Sequence, residues 1–211
     1  RAGLLLQGAA AQNTLVGARA GDAITTAADN TAVGFQALTQ NNTGHSNVAM
    51  GTNACSGNTS GLRNTGIGFQ ALANNISGDD NTGLGHNAGV NLTTGHSSVA
   101  IGSSALLTED TGRKNVAIGF EALKMQNSDV DNNNVAVGYN AGRLTSTGID
   151  DTFVGNLSGD ENSTGLANTF IGSRAGRYNT TGDVNTFIGA GAASGVDGAE
   201  LTGNGNTVVG Q

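Results

Sequence analysis

The stretch NTGIGFQAL, residues 64–72, resembles a fragment of a phosphate-binding loop, but the chain says almost the same thing several times over. NTAVGFQAL stands at 30–38, NVAIGFEAL at 115–123 and NVAVGYNAG at 134–142. Aligning the glycine of each word gives Gly17, Gly34, Gly51, Gly68, Gly85, Gly102, Gly119, Gly138, Gly155, Gly172, Gly189 and Gly210. Successive spacings are 17 six times, then 19, then 17 three times, then 21. A fixed period of this length marks a repeat architecture, which decides how every local motif is read.

The columns of the repeat have a physical meaning. The residue before the glycine is aliphatic or Met in all twelve words, from Val16 to Val209. Two places earlier stands Thr in eight words and Val in four (Val48, Val99, Val116, Val135). Positions two apart share one face of an extended strand, and the β-branched enrichment favours a strand over a helix. The column between them holds Leu15, Ala, Gly, Phe153, Phe170, Phe187 and Val208, with no polar residue. A strand apolar on both faces is expected to be buried on both.

Three places after the glycine comes Ala in ten of eleven words, with Ser158 the exception, followed by Leu or Gly in most. This predicts a second short strand. Polar segments such as TQNNTG (39–44), NLTTG (91–95) and YNTTG (178–182) then supply turn residues. Asn opens ten of the twelve words, replaced by Ser98 and Asp151, so a stacked Asn ladder is expected at that corner. The two longer spacings fall in polar stretches at 124–133 and 190–205, which places insertions in surface loops.

These columns predict an all-β fold, a parallel β-solenoid or β-roll of about twelve 17-residue coils. It is a single repeat domain over 1–211, with 1–12 irregular or a partial coil. Both ends look cut from a longer fibre protein. A lone thin roll has few large side chains to bury, so one strand face is expected to close the roll and the other to meet sister chains. Small Ala and Gly would permit the close approach, and Phe153, Phe170 and Phe187 would stack near the common axis. A homotrimer about 55 Å long is the expected oligomer, from a strand spacing of about 4.8 Å.

Composition agrees. The chain has 35 Gly, no Pro and no Trp, aromatics at 4%, charged residues at 12% and a net charge of −7. This argues against a nucleic-acid-binding surface. The single Cys55 excludes an intrachain disulfide framework and a Cys-rich zinc site. LLL at 4–6 is too short for a membrane span or a signal-peptide core, so no membrane insertion is expected.

The words NVAMG, SVAIG, NVAIG and NVAVG, each followed by xxA, resemble the head repeats of trimeric autotransporter adhesins. NTGIGFQAL and NTFIGSRAGRYNTTGDVNTFIG resemble repeat shafts of bacteriophage tail fibres and related surface fibres. The resemblance covers residues 12–211, and the 17-residue period tilts it toward the fibre group. It implies an extracellular place on a virion tail fibre or cell surface, and a host-surface glycan or protein receptor. Such fibres often carry a C-terminal self-cleaving chaperone domain. No stretch of 1–211 matches one, so no peptidase residue carries over.

No residue is assigned a catalytic, cofactor-binding or metal role. GIG (66–68) and GAGAASG (189–195) lack the long helix a dinucleotide loop must open. His45 and His96 share a column but stand three coils apart, about 14 Å at about 4.8 Å per coil. His86 lies in another column. The pairs Asp79/Asp80, Glu109/Asp110, Asp150/Asp151 and Asp160/Glu161 recur at no fixed offset, although loop calcium remains open. NNT, NTS, NIS and NLT make Asn41, Asn58, Asn75 and Asn91 formal glycosylation acceptors. Cys55 is expected to be a buried, inert thiol. The leading reading is therefore a non-enzymatic structural and adhesive fibre segment. An ice-binding solenoid, from the Thr column, and a glycan-cleaving spike are the alternatives.

Overall fold

The computed structural model describes residues 11–195 and 202–210. Each word folds as one three-residue strand: β1 (Thr14–Val16), β2 (Thr31–Val33), β3 (Val48–Met50), β4 (Thr65–Ile67), β5 (Thr82–Leu84), β6 (Val99–Ile101), β7 (Val116–Ile118), β8 (Val135–Val137), β9 (Thr152–Val154), β10 (Thr169–Ile171), β11 (Thr186–Ile188) and β12 (Thr207–Val209). They form one parallel twelve-stranded sheet in sequence order. Equivalent residues pair directly, as in Thr65↔Thr82, Gly66↔Gly83 and Ile67↔Leu84. The chain is a β-solenoid, and no helix occurs among the described residues.

The expected second strand does not form. Residues after the word's glycine run as turns, because the Leu/Gly column takes left-handed backbone: Leu38, Leu72, Leu106 and Leu123 have φ between 47° and 51°. That conformation swings the chain round and drops each leucine into the roll, where all four are fully buried. The inter-rung ladder continues through these turns all the same. Leu38 N–H donates to the Ala54 carbonyl (3.0 Å) and Leu72 N–H to the Ala88 carbonyl (3.0 Å). The thin roll is thereby hydrogen-bonded from rung to rung well beyond its three-residue strands.

The expected use of the two strand faces is also corrected. The middle column points into the chain's own roll and is buried there: Ala32, Ala49, Ala100, Ala117, Ala136, Phe153 and Phe170 are inaccessible to solvent. The phenylalanines stack inside one chain, with ring centroids 5.5 Å apart for Phe153–Phe170 and 4.8 Å for Phe170–Phe187. They do not line an axis between chains. The flanking Thr/Val and aliphatic columns face outward and are partly open to solvent. Two-sided burial is therefore not met within a single chain.

The Asn ladder is present, in a form that runs through the backbone. Asn47 Oδ1 accepts from the N–H of Asn64 (2.8 Å), Asn64 Oδ1 from Asn81 (2.9 Å) and Asn168 Oδ1 from Asn185 (2.9 Å). The 124–133 insertion bulges between β7 and β8 and is tied back by a parallel bridge from Arg113 to Asp131. Residues 1–10 of the expected partial coil, and 196–201 of the second insertion, lie outside the described residues.

Candidate functional site

The outward strand face is the largest feature the chain's own packing leaves uncovered. It consists of three adjacent columns: Thr or Val opening each strand, the aliphatic residue closing it, and the residue just after the glycine. Met50 and Leu84 in the second column are 42% and 43% exposed, and Phe35 and Tyr139 in the third are 48% and 51% exposed. None of the chain's 9 Lys and Arg or 16 Asp and Glu falls in any of the three. The face is therefore free of formal charge along the described rungs.

The third column carries aromatic pairs that the sequence reading did not single out. Phe69 stacks on His86 and Phe120 on Tyr139, both with centroids 5.3 Å apart and planes within 10°. Successive rungs set these rings one above another, so each ring spends a face on its neighbour and the pairs extend the partly exposed face sideways.

The charged residues suggested by the sequence are distributed over the corners. Asp80 accepts from Arg63 at 2.6 and 2.8 Å, and that guanidinium holds the carboxyl below its usual range. Lys114 does the same to Asp131 at 2.5 Å. Asp160 lies between Arg143 (2.8 Å) and Arg177 (3.8 Å) on neighbouring rungs. Asp79 accepts from the Leu62 N–H (2.7 Å), and Asp150 from Asn133 Nδ2 (3.0 Å). His45 Nδ1 accepts from the Ala28 N–H (3.0 Å). Among the described residues no three His, Cys, Asp or Glu converge as a metal site would require.

Besides Asp160, which is buried with its arginines, Glu109 and Asp151 are buried. Glu109 raises its carboxyl's affinity for protons through burial, opposed by backbone N–H bonds from Gly112 (2.9 Å), Ser128 (3.4 Å) and Asp110 (3.2 Å). Asp151 sits in the Asn ladder. The two belong to different columns and different rungs, and form no acid pair. Cys55 is wholly buried, and burial pushes its thiol up to about 12. Such a thiol is inert. Gly66 of GIG lies inside the roll, where a Cβ would meet the Cys55 sulfur, and a turn follows rather than a helix.

The glycosylation triplets have a structural cause. Asn41 Oδ1 accepts from the Gly44 N–H (3.0 Å) while its Nδ2 donates to the Gly44 carbonyl (2.9 Å), and Asn75 treats Gly78 the same way. Asn58 Nδ2 in turn reaches Asn41 Oδ1 (3.1 Å) on the rung before. Asn41, Asn58 and Asn75 are fully buried, so the Asn-x-Thr/Ser-Gly word clamps a turn and feeds a second inner ladder. Asn91 is half-buried and donates to the Leu107 carbonyl (2.9 Å). No helix among the described residues is long and apolar enough to cross a membrane. No family model matches the chain, and searches of curated proteins and of solved structures return no match.

Proposed function

We propose that this chain is a segment of a structural and adhesive fibre, a rigid homotrimeric rod on a phage tail fibre or a cell surface. The observation that carries the reading is the charge-free outward face. Twelve rungs at about 4.8 Å, with about 10–13 Å of extended chain per rung, give a face on the order of 500–700 Å². A standard interface takes about 800 Å² from each partner, so the corners beside this face have to contribute to the contact as well. Packing the Thr/Val margin of one copy beside the aliphatic and aromatic margin of the next is a head-to-tail contact, which closes into a ring of three when each copy is turned by a third of a circle. Three rolls then enclose one apolar seam, while the charged corners and the loop at 124–133 face outward toward a glycan or protein receptor.

The test is sedimentation equilibrium of the chain beside the V99K/I101K variant, which puts two charges on the outer face and leaves the roll interior untouched. The wild type is expected at three times the 20.9 kDa chain mass. The variant is expected as a folded monomer with the same β-sheet circular dichroism. A monomeric wild type removes the support for this reading.

Ice binding is the second reading, favoured by one observation. The Thr and aliphatic columns point outward together on an in-register parallel sheet, so the aliphatic column is not core, as the sequence suggested. Val48, Val99, Val116 and Val135 interrupt the Thr row. Thermal hysteresis of the chain in solution, alongside a monomeric mass, would favour this reading over the fibre.

A further inference from the structure

Four of the asparagines opening the rungs share one pair of bonds. Oδ1 accepts from the N–H that opens the next rung, and Nδ2 donates to a glycine carbonyl in the following turn. Asn47 reaches Gly61 (2.8 Å), Asn64 reaches Gly78 (2.7 Å), Asn81 reaches Gly95 (2.8 Å) and Asn134 reaches Gly148 (2.7 Å), each 14 residues on. Asp151 stands in this column and is fully buried. Its Oδ1 accepts from the Asn168 N–H (2.8 Å) and Asn168 Nδ2 (3.1 Å), so the first bond is kept. The second cannot be. Fourteen residues on is Gly165, and where the amides place a donor an ionised Asp151 offers only an acceptor. Asn162 Nδ2 gives one N–H to Asp151 Oδ2 (3.0 Å) and the other to the Gly165 carbonyl (3.1 Å), so that carbonyl has one amide donor where the Gly61 and Gly78 carbonyls have two.

We propose that Asp151 is a proton-operated joint in the rod: its neutral carboxyl completes the lacing between β8, β9 and β10, and its ionisation loosens it. A proton on Oδ2 supplies the donor that the asparagines carry at Nδ2, and so restores the second bond to the turn glycine's carbonyl that those four rungs make. The groups facing the carboxyl are Asn168 from the rung after and Asn162 and Gly148 from the turns, while Asn134 of the rung before accepts from the Asp151 backbone N–H. The neighbouring titratable group is Asp150, another acid, and no Lys, Arg or His among the described residues is ion-paired with Asp151.

The electrostatics have the matching sign. Burial pushes the Asp151 carboxyl up to about 7, against the pull of the Asn168 and Asn162 bonds, and Asp150 adds to the rise. An unfolded aspartate titrates near about 3.9. Below that value both states hold the proton and nothing is lost. As pH rises toward about 7 the folded chain alone retains it, so stability falls through this window, by up to about tenfold in the folding equilibrium per pH unit.

The experiment compares the full chain with D151N, which rebuilds the ladder and carries no titrating group. Melting temperatures are taken from pH 4 to pH 8, with D150N as the exposed-acid control. The difference between D151N and wild type is expected to be small at pH 4 and to widen in favour of D151N up to pH 8, while D150N follows wild type. In parallel, the ¹³Cγ shift of Asp151 in the folded wild type should titrate near neutrality, with faster exchange of the Asn168 amide on the alkaline side. A pH-independent difference, or a carboxyl that titrates near pH 4, overturns the proposal.

Discussion

The Phe170 ring fills the space that a side chain at Gly176 would need: a Cβ there would lie 2.5 Å from Cδ2 of Phe170. Phe153 stands in the same relation to Gly159, and its ring also covers Gly142 of the rung before. The rungs of Ala32, Gly66, Ala100 and Ala117 reverse the arrangement, and Leu38, Leu72, Leu106 or Leu123 enters from the turn. Where strand and turn both supply small residues, as at Gly83/Gly89 and Ala136/Gly142, the space is taken by Leu72 and Leu92, or by Leu123 and Phe153. F170A is expected to cost about 3–5 kcal/mol, as a large cavity does. G176L alone should also destabilise, by overpacking. The double variant F170A/G176L should recover much of the loss, because leucine already occupies that left-handed position elsewhere. Urea unfolding of the four chains measures the coupling, and additive losses would show that the two columns do not share one space.

The buried asparagine ladder gives a second prediction. Asn64 Oδ1 accepts from Asn81 N–H (2.9 Å) and its Nδ2 donates to the Gly78 carbonyl (2.7 Å). N64A leaves the Asn81 N–H unpaired inside the roll, at about 1–3 kcal/mol, while the Gly78 carbonyl keeps Asn75 Nδ2 (3.0 Å). N64S should fall between wild type and N64A, since Ser98 shows that a hydroxyl can accept the next rung's N–H, at 3.3 Å. Chemical denaturation checks the order, and an N64A chain as stable as wild type would deny the ladder its role.

The glycine closing each strand is required by both conformation and space. Gly34 has φ of 138°, and a Cβ there would lie 2.5 Å from the Gly51 carbonyl oxygen. G34A should cost several times as much as G191A, where φ is 73° and nothing stands within 4 Å. The second change carries only a left-handed penalty of about 1 kcal/mol. Thermal melts of the two variants decide it.

Cys55 should resist alkylation in the folded chain at pH 8 and react fully in denaturant. Its burial and its thiol near 12 both suppress the thiolate. Mass spectrometry after timed iodoacetamide treatment reads this out directly. Rapid native labelling would mean that the rung around Ala49 and Gly66 opens.

The solenoid was legible because its signal is repeated twelve times. The glycine spacing and the Thr/Val–x–aliphatic pattern place every strand to the residue, from Thr14–Val16 to Thr207–Val209. Which face turns inward was not legible. Both faces are apolar, and only the left-handed turn at the Leu/Gly column decides that the chain wraps over Ala32 and Phe170 rather than over Thr31 and Ile171. The same turn was read as a strand, because leucine with positive φ runs against its usual preference. The second ladder through Asn41, Asn58 and Asn75 was masked by composition, since an Asn-Thr-Gly word looks like any polar loop. The aromatic pairs at Phe69–His86 and Phe120–Tyr139 were visible in the alignment but fell outside the two columns that defined the strand.

Mass per unit length of unstained rods, measured by scanning transmission electron microscopy, tests most directly whether identical copies cover the outward face. One chain of 20.9 kDa advancing about 4.8 Å for each 17 residues has about 3.5 kDa per nanometre. Three chains side by side have about 10.5 kDa per nanometre. The fibre account predicts the higher value, and rods at the lower value would contradict it.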